Sequence, residues 1–138
     1  MKQQILAQML TQHGVRPTQQ RLAVFDYLLD HRTHPSAEAV YEALVQQYPT
    51  FSRTTVYNSL HALVEAGLAL ELSLGTEEKH YDADVSLHGH FHCRRCGGIS
   101  DIPLAEETAL ALKPAGYTVD VYSLSFAGLC PQCGRQDN

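Results

Sequence analysis

Residues 80–96 read HYDADVSLHGHFHCRRC, a run that crowds imidazole, carboxylate and thiol side chains into one short segment. It ends on Cys93-Arg-Arg-Cys96, which is matched near the C-terminus by Cys130-Pro-Gln-Cys133. The two pairs use every cysteine in the chain, and a glycine, Gly97 or Gly134, follows each. A Cys-x-x-Cys turn aims two thiolates at one point, and two such turns complete the tetrahedral sulfur shell of a structural Zn2+. The gap between the pairs is longer than in a compact zinc ribbon, so a folded segment must lie between them and bring them together. Two disulfides, or four buried free thiols, are the other readings of the same residues. The opening residues, MKQQILAQ, show no long apolar run, which favours a reducing, cytoplasmic setting and disfavours disulfides.

The histidines serve a different site. On a strand over residues 89–94, His90 and His92 share a face with His88, while Phe91 and Cys93 point the other way. Asp82 and Asp84 lie just upstream, and Asp101 follows on what reads as the next strand, residues 98–102. Imidazole with carboxylate is the ligand set of an open, exchangeable site for iron, manganese, zinc or nickel rather than of a closed thiolate cage. A histidine-rich surface strand without metal fits the same pattern. His92 and Asp84 could be spare ligands or partners of the ligands. His13, His31 and His61 stand apart and read as surface or capping groups.

Working outward, the chain has 138 residues and a formal net charge of -5, with no apolar run long enough to span a membrane. That length suits one or two small domains. The acidic balance is the reverse of what a free-standing nucleic-acid binder shows, so DNA contact must rest on a motif and a local patch. The first half reads as helices. Residues 2–12 place Ile5, Leu6, Met9 and Leu10 on one side and stop at His13-Gly14. Thr18 caps a second helix with a stripe of Leu22, Val24, Phe25, Leu28 and Leu29, broken at residues 31–35. Ser36 caps a third, residues 37–47, burying Val40, Tyr41, Leu44 and Val45, and Ser52 caps a fourth, residues 53–66.

In the fourth helix Val56, Leu60, Leu63 and Val64 form the inward face, with Thr54, Asn58 and His61 opposite, Tyr57 at the border and Arg53 in the first turn. Asn pairs bidentately with adenine, Tyr and Thr hydroxyls reach phosphates, and Arg reaches phosphate or guanine. A plain solvated face is the competing reading. Residues 68–74 alternate as a strand, 75–78 turn and 79–82 return. Helices followed by a hairpin make a winged helix, whose last helix enters the major groove. Glu77 and Glu78 make this wing's turn a poor phosphate reader. Beyond it, strands at 89–94 and 98–102 flank the first cysteine pair, Pro103 opens a helix over 104–113, and residues 117–126 alternate as a third strand, in which Phe126, like Phe91, reads as a core or subunit contact. The expected fold class is therefore α+β, with a winged-helix DNA-binding domain over 1–83 and a small α/β metal-binding domain over 84–138. The second domain is too small to stand alone and needs zinc, a partner subunit, or both.

The order of these segments resembles the Fur (ferric uptake regulator) family of metal-dependent bacterial repressors. The similarity rests on Arg16-Pro-Thr-x-x-Arg21, His34-Pro-Ser-Ala-Glu38, Thr55-Val-Tyr-Asn58, the His-Tyr-Asp segment, His-x-His-Phe-x-Cys-x-x-Cys-Gly and the closing Cys-x-x-Cys. It implies a cytoplasmic homodimer, joined through the second domain, that represses by binding a palindromic double-stranded DNA operator when its regulatory site holds metal. It further implies that His34, Asp82, His88, His90 and Asp101 hold a regulatory Fe2+ or Mn2+, the ligand set of the peroxide-sensing PerR branch. Iron-sensing relatives generally carry glutamate where Asp101 stands, and Asn58 also matches the peroxide branch. An additional site of Fur proper uses a C-terminal histidine, and no histidine follows His92 here. The implied signal is peroxide, read through iron-catalysed oxidation of His34 or His88. The alternatives are an iron, manganese or zinc uptake regulator on the same scaffold and, further off, a small metalloenzyme. Against the enzyme, the sequence shows no independent general base or nucleophile beside the ligands.

Overall fold

Helix boundaries in the first half are set by short polar side chains at one end and glycine at the other. The computed structural model describes residues 1–73, 77–86, 88–119 and 123–136. It contains helices α1 (Lys2–Gln12), α2 (Gln19–Asp30), α3 (Ala37–Gln47) and α4 (Arg53–Glu65). Thr18, Ser36 and Ser52 sit in extended backbone just before α2, α3 and α4, and their hydroxyl oxygens accept the N–H groups of Arg21, Ala39 and Thr55. Each cap satisfies an amide that has no partner within its helix. Helices α1 and α4 stop at Gly14 and Gly67, with φ of 77° and 78°. Bonds from Val15 N–H to Leu10 O (2.8 Å) and from Leu68 N–H to Leu63 O (2.9 Å) close the two turns. Glycine enters this left-handed region without a Cβ clash, and the reversal delivers an apolar residue back onto the last helical turn.

Two compact units result, Met1–Val85 and Ser86–Asn138. The first has a continuous apolar core. Leu10, Val24, Val40, Val56, Leu60 and Leu63 are fully buried, and Leu6, Phe25, Leu28, Leu44 and Phe51 pack with them. The expected stripes hold for α2, α3 and α4, while on α1 Ile5 turns to solvent, 57% exposed, and Leu6 and Leu10 do the packing. A hairpin of β1 (Leu70–Leu72) and β2 (His80–Asp82) follows α4, antiparallel, with Leu70 opposite Asp82 and Leu72 opposite His80. The expected turn at 75–78 lies partly outside the described residues. The segment before α3 extends this sheet: Ser36 bridges His80, and Tyr81 N–H donates to Pro35 O at 2.9 Å. Helices closed by a small hairpin give the winged-helix arrangement.

The second unit is built differently. Strands β3 (His88–Cys93), β4 (Ile99–Pro103) and β5 (Ser125–Gly128) form a sheet in the order β4-β3-β5, with β4 antiparallel and β5 parallel to β3. Helix α5 (Glu106–Leu112) and the short α6 (Pro131–Gln136) complete it. The expected strand over 117–126 is corrected. Residues 120–122 lie outside the description, 117–119 and 123–124 are not strand, and pairing begins at Ser125. Among the described residues β5 is confined to Ser125–Gly128, just before Cys130. Gly128 pairs with Cys93, and Arg94 N–H donates to Gly128 O at 2.8 Å. Phe126, on this edge strand, is 44% exposed. Helix α6 was not expected; Pro131 opens it, a residue whose fixed φ suits a first helical turn.

The burial pattern sets two substitutions apart. Leu60→Ala removes a fully buried side chain and is expected to cost about 3 kcal/mol in urea unfolding. Ile5→Ala, at an exposed position of the same unit, should stay within about 0.5 kcal/mol of the parent.

Candidate metal centres and nucleic-acid face

The four cysteines converge. Their sulfur atoms all lie within 4.8 Å of one another, with Cys96 Sγ and Cys130 Sγ 4.0 Å apart. A tetrahedral zinc thiolate shell with bonds of about 2.3 Å separates its sulfurs by about 3.8 Å. The set therefore fits that ion, and no disulfide joins the four. Backbone amides point at the sulfurs: Cys96 N–H and Cys130 N–H donate to Cys93 Sγ at 3.5 and 3.4 Å, and Gly98 N–H to Cys96 Sγ at 3.4 Å. These donors, led by the Cys130 amide, pull the Cys93 thiol down to about 5. The neighbouring Cys130 thiol and burial push Cys133 up to about 12. One thiolate is thus easily formed and the last is opposed, as expected where four ionising sulfurs crowd a space suited to a cation. Arg95 ties the two pairs together by donating from Nη1 to Cys133 O at 3.3 Å.

Within each unit, strand register sets imidazole and carboxylate candidates side by side. In the first unit the antiparallel bridge of Ser36 to His80 places His34, two residues back, opposite Asp82, two residues on. His34 Nε2 lies 3.3 Å from Asp82 Oδ2, and both side chains are almost fully buried. His34 has φ of 58°, a left-handed conformation that is sparsely used outside glycine, and His80 Nδ1 holds its carbonyl oxygen at 2.8 Å. Asp82 Oδ1 accepts the Asp84 N–H at 2.9 Å, which fixes the carboxylate. Asp84 Oδ2 lies 3.8 Å from Arg32 Nη1.

In the second unit β3 and β4 pair His90 directly with Asp101. Asp101 Oδ1 lies 3.3 Å from His88 Nε2 and 3.4 Å from His90 Nε2. His88 and His90 share a face, as strand alternation requires, with ring centroids 4.4 Å apart. His88 Nδ1 lies 2.7 Å from Ser86 O, so with its proton on Nδ1 the Nε2 lone pair faces the carboxylate. A ring that donates through one nitrogen and presents the other is the arrangement of a metal-ligating histidine. Each pair offers nitrogen and oxygen donors of borderline softness, which fit Fe2+, Mn2+ or Zn2+. The lone histidines behave otherwise. His13 and His31 hydrogen-bond Met9 O and Tyr27 O at the ends of their helices, and His61 lies 3.1 Å from Glu65.

On α4, Arg53, Thr54, Tyr57, Asn58 and His61 are all exposed, while Val56, Leu60 and Leu63 are buried beneath them. Beside this face an open concavity of about 410 Å3 is lined by Arg16, Arg21, Thr18, Thr55 and Asn58 among others. It gives an acidic chain a local basic patch. Sequence reading did not foresee the role of Glu38, which accepts from Arg53 Nε and Nη2 at 3.1 and 2.9 Å and from the Tyr57 hydroxyl at 3.3 Å. The Arg53 guanidinium holds the Glu38 carboxyl below its ordinary range. Nor was His80 expected as the brace of His34. Both partners come from other elements, so no local spacing announces them.

A winged helix with an exposed polar recognition face, together with thiolate and imidazole–carboxylate ligand sets, defines a metal-dependent transcription regulator. The chain belongs to the ferric uptake regulator family, whose sequence profile matches residues 12–126. It is 37% identical over 132 residues to the peroxide operon regulator of Bacillus subtilis, covering 94% of this chain and 91% of that protein. Among solved structures, the Campylobacter jejuni peroxide stress regulator is 30% identical with a TM-score of 0.68, covering 94% of this chain and 97% of the other. The Helicobacter pylori ferric uptake regulator shares the fold, with a TM-score of 0.75 at 20% identity and coverage of 96% and 91%. No helix among the described residues is long and apolar enough to cross a membrane.

Structural zinc has a direct test. Cys96→Ser is expected to lower bound zinc from about one ion per chain to near none, measured by a colorimetric chelator assay, with loss of the folded second unit by circular dichroism.

Proposed function

We propose that the chain is a repressor of the peroxide-responsive type, in which His34 and Asp82 of the first unit and His88, His90 and Asp101 of the second hold one regulatory Fe2+ or Mn2+, while Cys93, Cys96, Cys130 and Cys133 hold a structural Zn2+. The observation that carries this reading is that two antiparallel registers each set a carboxylate beside an imidazole, 3.3 Å apart in His34–Asp82 and in His88–Asp101. An ion that takes ligands from both units would couple them, so that filling or losing the site shifts the protein between conformations with different DNA affinity. Fe2+ held by these residues would promote oxidation of the His34 or His88 imidazole by hydrogen peroxide, a ring C–H gaining one oxygen while the other leaves as water and the ring giving up the two electrons overall, whereas Mn2+ on the same ligands would not promote it. The oxidised ring is then a poorer ligand, and the two units are released from each other.

The same reading assigns residues 1–83 to DNA binding and residues 84–138 to dimerisation. Arg53, Thr54, Tyr57, Asn58 and His61 face the major groove of a palindromic operator, and the basic concavity at Arg16 and Arg21 lies along the phosphates. A homodimer joined through the second unit is supported by β5 lying at the sheet edge among the described residues and by the exposed apolar side chains of Phe126, Tyr117, Leu110 and Leu112. The same reading puts the protein in the cytoplasm, a reducing setting in which four thiols stay free to hold zinc. A binding role rather than turnover fits the site, because Asp82 and Asp101, the carboxylates nearest the imidazoles, are taken up as ligands and are not left over as a general base.

The experiment is a fluorescence-anisotropy titration of operator DNA, selected from a random pool, with and without Mn2+. Mn2+ should tighten binding by the parent. Asp101→Ala and His34→Ala should each reduce that metal-dependent gain by more than about 10-fold, while Asp30→Ala, at an exposed position on α2, leaves it unchanged. An Asp101→Ala protein that retains the full gain removes the proposed ligand set.

A further inference from the structure

Arg53 is the only lysine or arginine of α4, and it occupies the first residue of that helix. A cation there faces the positive end of the helix dipole and needs a compensating anion. Glu38, in the first turn of α3, supplies it. Its Oε1 accepts from both Nε and Nη2 of Arg53, at 3.1 and 2.9 Å, and its Oε2 accepts from the Tyr57 hydroxyl at 3.3 Å. The guanidinium also lies over the Tyr41 ring, 4.5 Å from its centroid. Three side chains from two helices thus fix the plane and direction of one arginine whose side chain remains 62% exposed.

The edge that Glu38 takes is informative. Arginine has five N–H donors in a rigid fork. Glu38 occupies the Nε–Nη2 side, so the end-on pair of Nη1 and the second Nη2 hydrogen stays available. That pair matches the O6 and N7 acceptors of guanine in the major groove. Phosphate is a poor match, because the carboxylate beside the guanidinium repels it and leaves the pair with no net charge for counterion release.

We infer that Glu38 is a positioning residue that presents Arg53 end-on to a guanine, making this pair a base-reading element and not a phosphate clamp. The inference rests on the DNA-binding reading of α4. Selectivity at that base then depends on a residue of α3 that need not touch DNA. In a palindromic site it appears at two symmetry-related positions.

The test is sequence selection from a random duplex pool with the Mn2+-loaded full chain, run for the parent, Glu38→Gln, Arg53→Lys and Arg53→Ala, the last also combined with Glu38→Ala, together with the salt dependence of binding to unselected DNA. The parent should enrich guanine at one symmetric pair of positions. Glu38→Gln and Arg53→Lys should each flatten that preference by at least about 5-fold while other positions of the motif hold. Arg53→Ala should abolish it, and Arg53→Ala combined with Glu38→Ala, which removes both charges of the pair, should leave the salt slope on unselected DNA unchanged. Arg53→Lys keeps the charge at an exposed site, so the comparison stands even if Glu38→Gln weakens the contact of α3 with α4. A Glu38→Gln motif identical to the parent's overturns the inference, as does an Arg53→Ala/Glu38→Ala protein whose salt slope falls by about 0.9, the signature of a lost phosphate contact. A parent that enriches no sequence overturns the DNA-binding reading and this inference with it, whereas an enriched motif that ignores Glu38 overturns the inference alone.

Discussion

The convergence of four thiols is the constraint on which the second unit depends. Among the described residues of that unit the buried hydrophobic side chains are Cys93, Ala109 and Cys133, so two of the three belong to the converging thiol set. A three-stranded sheet with so small an apolar core cannot offset the entropy of ordering its chain. Binding a cation to preorganised thiolates supplies free energy of the size that a hydrophobic core would otherwise provide. The same requirement sets the register of β5. Gly128 sits opposite Cys93, two residues before Cys130, and this register brings Cys130 to the first pair.

From that anchored sheet follows the placement of the imidazole and carboxylate groups. Asp101 meets His90 because β4 returns antiparallel to β3 across the Cys93-x-x-Cys96 turn. The first unit repeats the device independently, since the strand that carries Asp82 runs antiparallel to the segment His34-Pro35-Ser36. In each case the candidate ligand on one strand is positioned by backbone pairing rather than by side-chain packing alone. The left-handed backbone at His34 is local strain of the kind that persists where surrounding structure over-determines it, here through His80 and the Pro35–Tyr81 pairing.

Much of this was legible in the residues. Thr18, Ser36 and Ser52 announced helix starts by capping chemistry, and His13-Gly14 announced a stop, because these effects are local and act within one turn of chain. The period-two placement of His88 and His90 against Phe91 and Cys93 was equally local. What the sequence could not show depends on register between distant segments. The braces Glu38 and His80 act on Arg53 and His34, across 15 and 46 positions in the chain. The strand expected at residues 117–126 failed for the same reason: alternation reports which face is apolar, not which residue a neighbouring strand demands.

The imidazoles beside Asp82 and Asp101 are proposed both to hold the regulatory metal and to record peroxide. The most direct test is peptide mass spectrometry of the Fe2+-loaded protein after mild hydrogen peroxide, alongside the Mn2+-loaded form and with DNA binding measured on the same samples. The prediction is a gain of one oxygen on the peptide holding His34 or His88 in the iron form alone, together with loss of DNA binding. No gain in either form, with DNA binding still metal-dependent after peroxide, would contradict it and leave an iron, manganese or zinc uptake regulator built on the same scaffold.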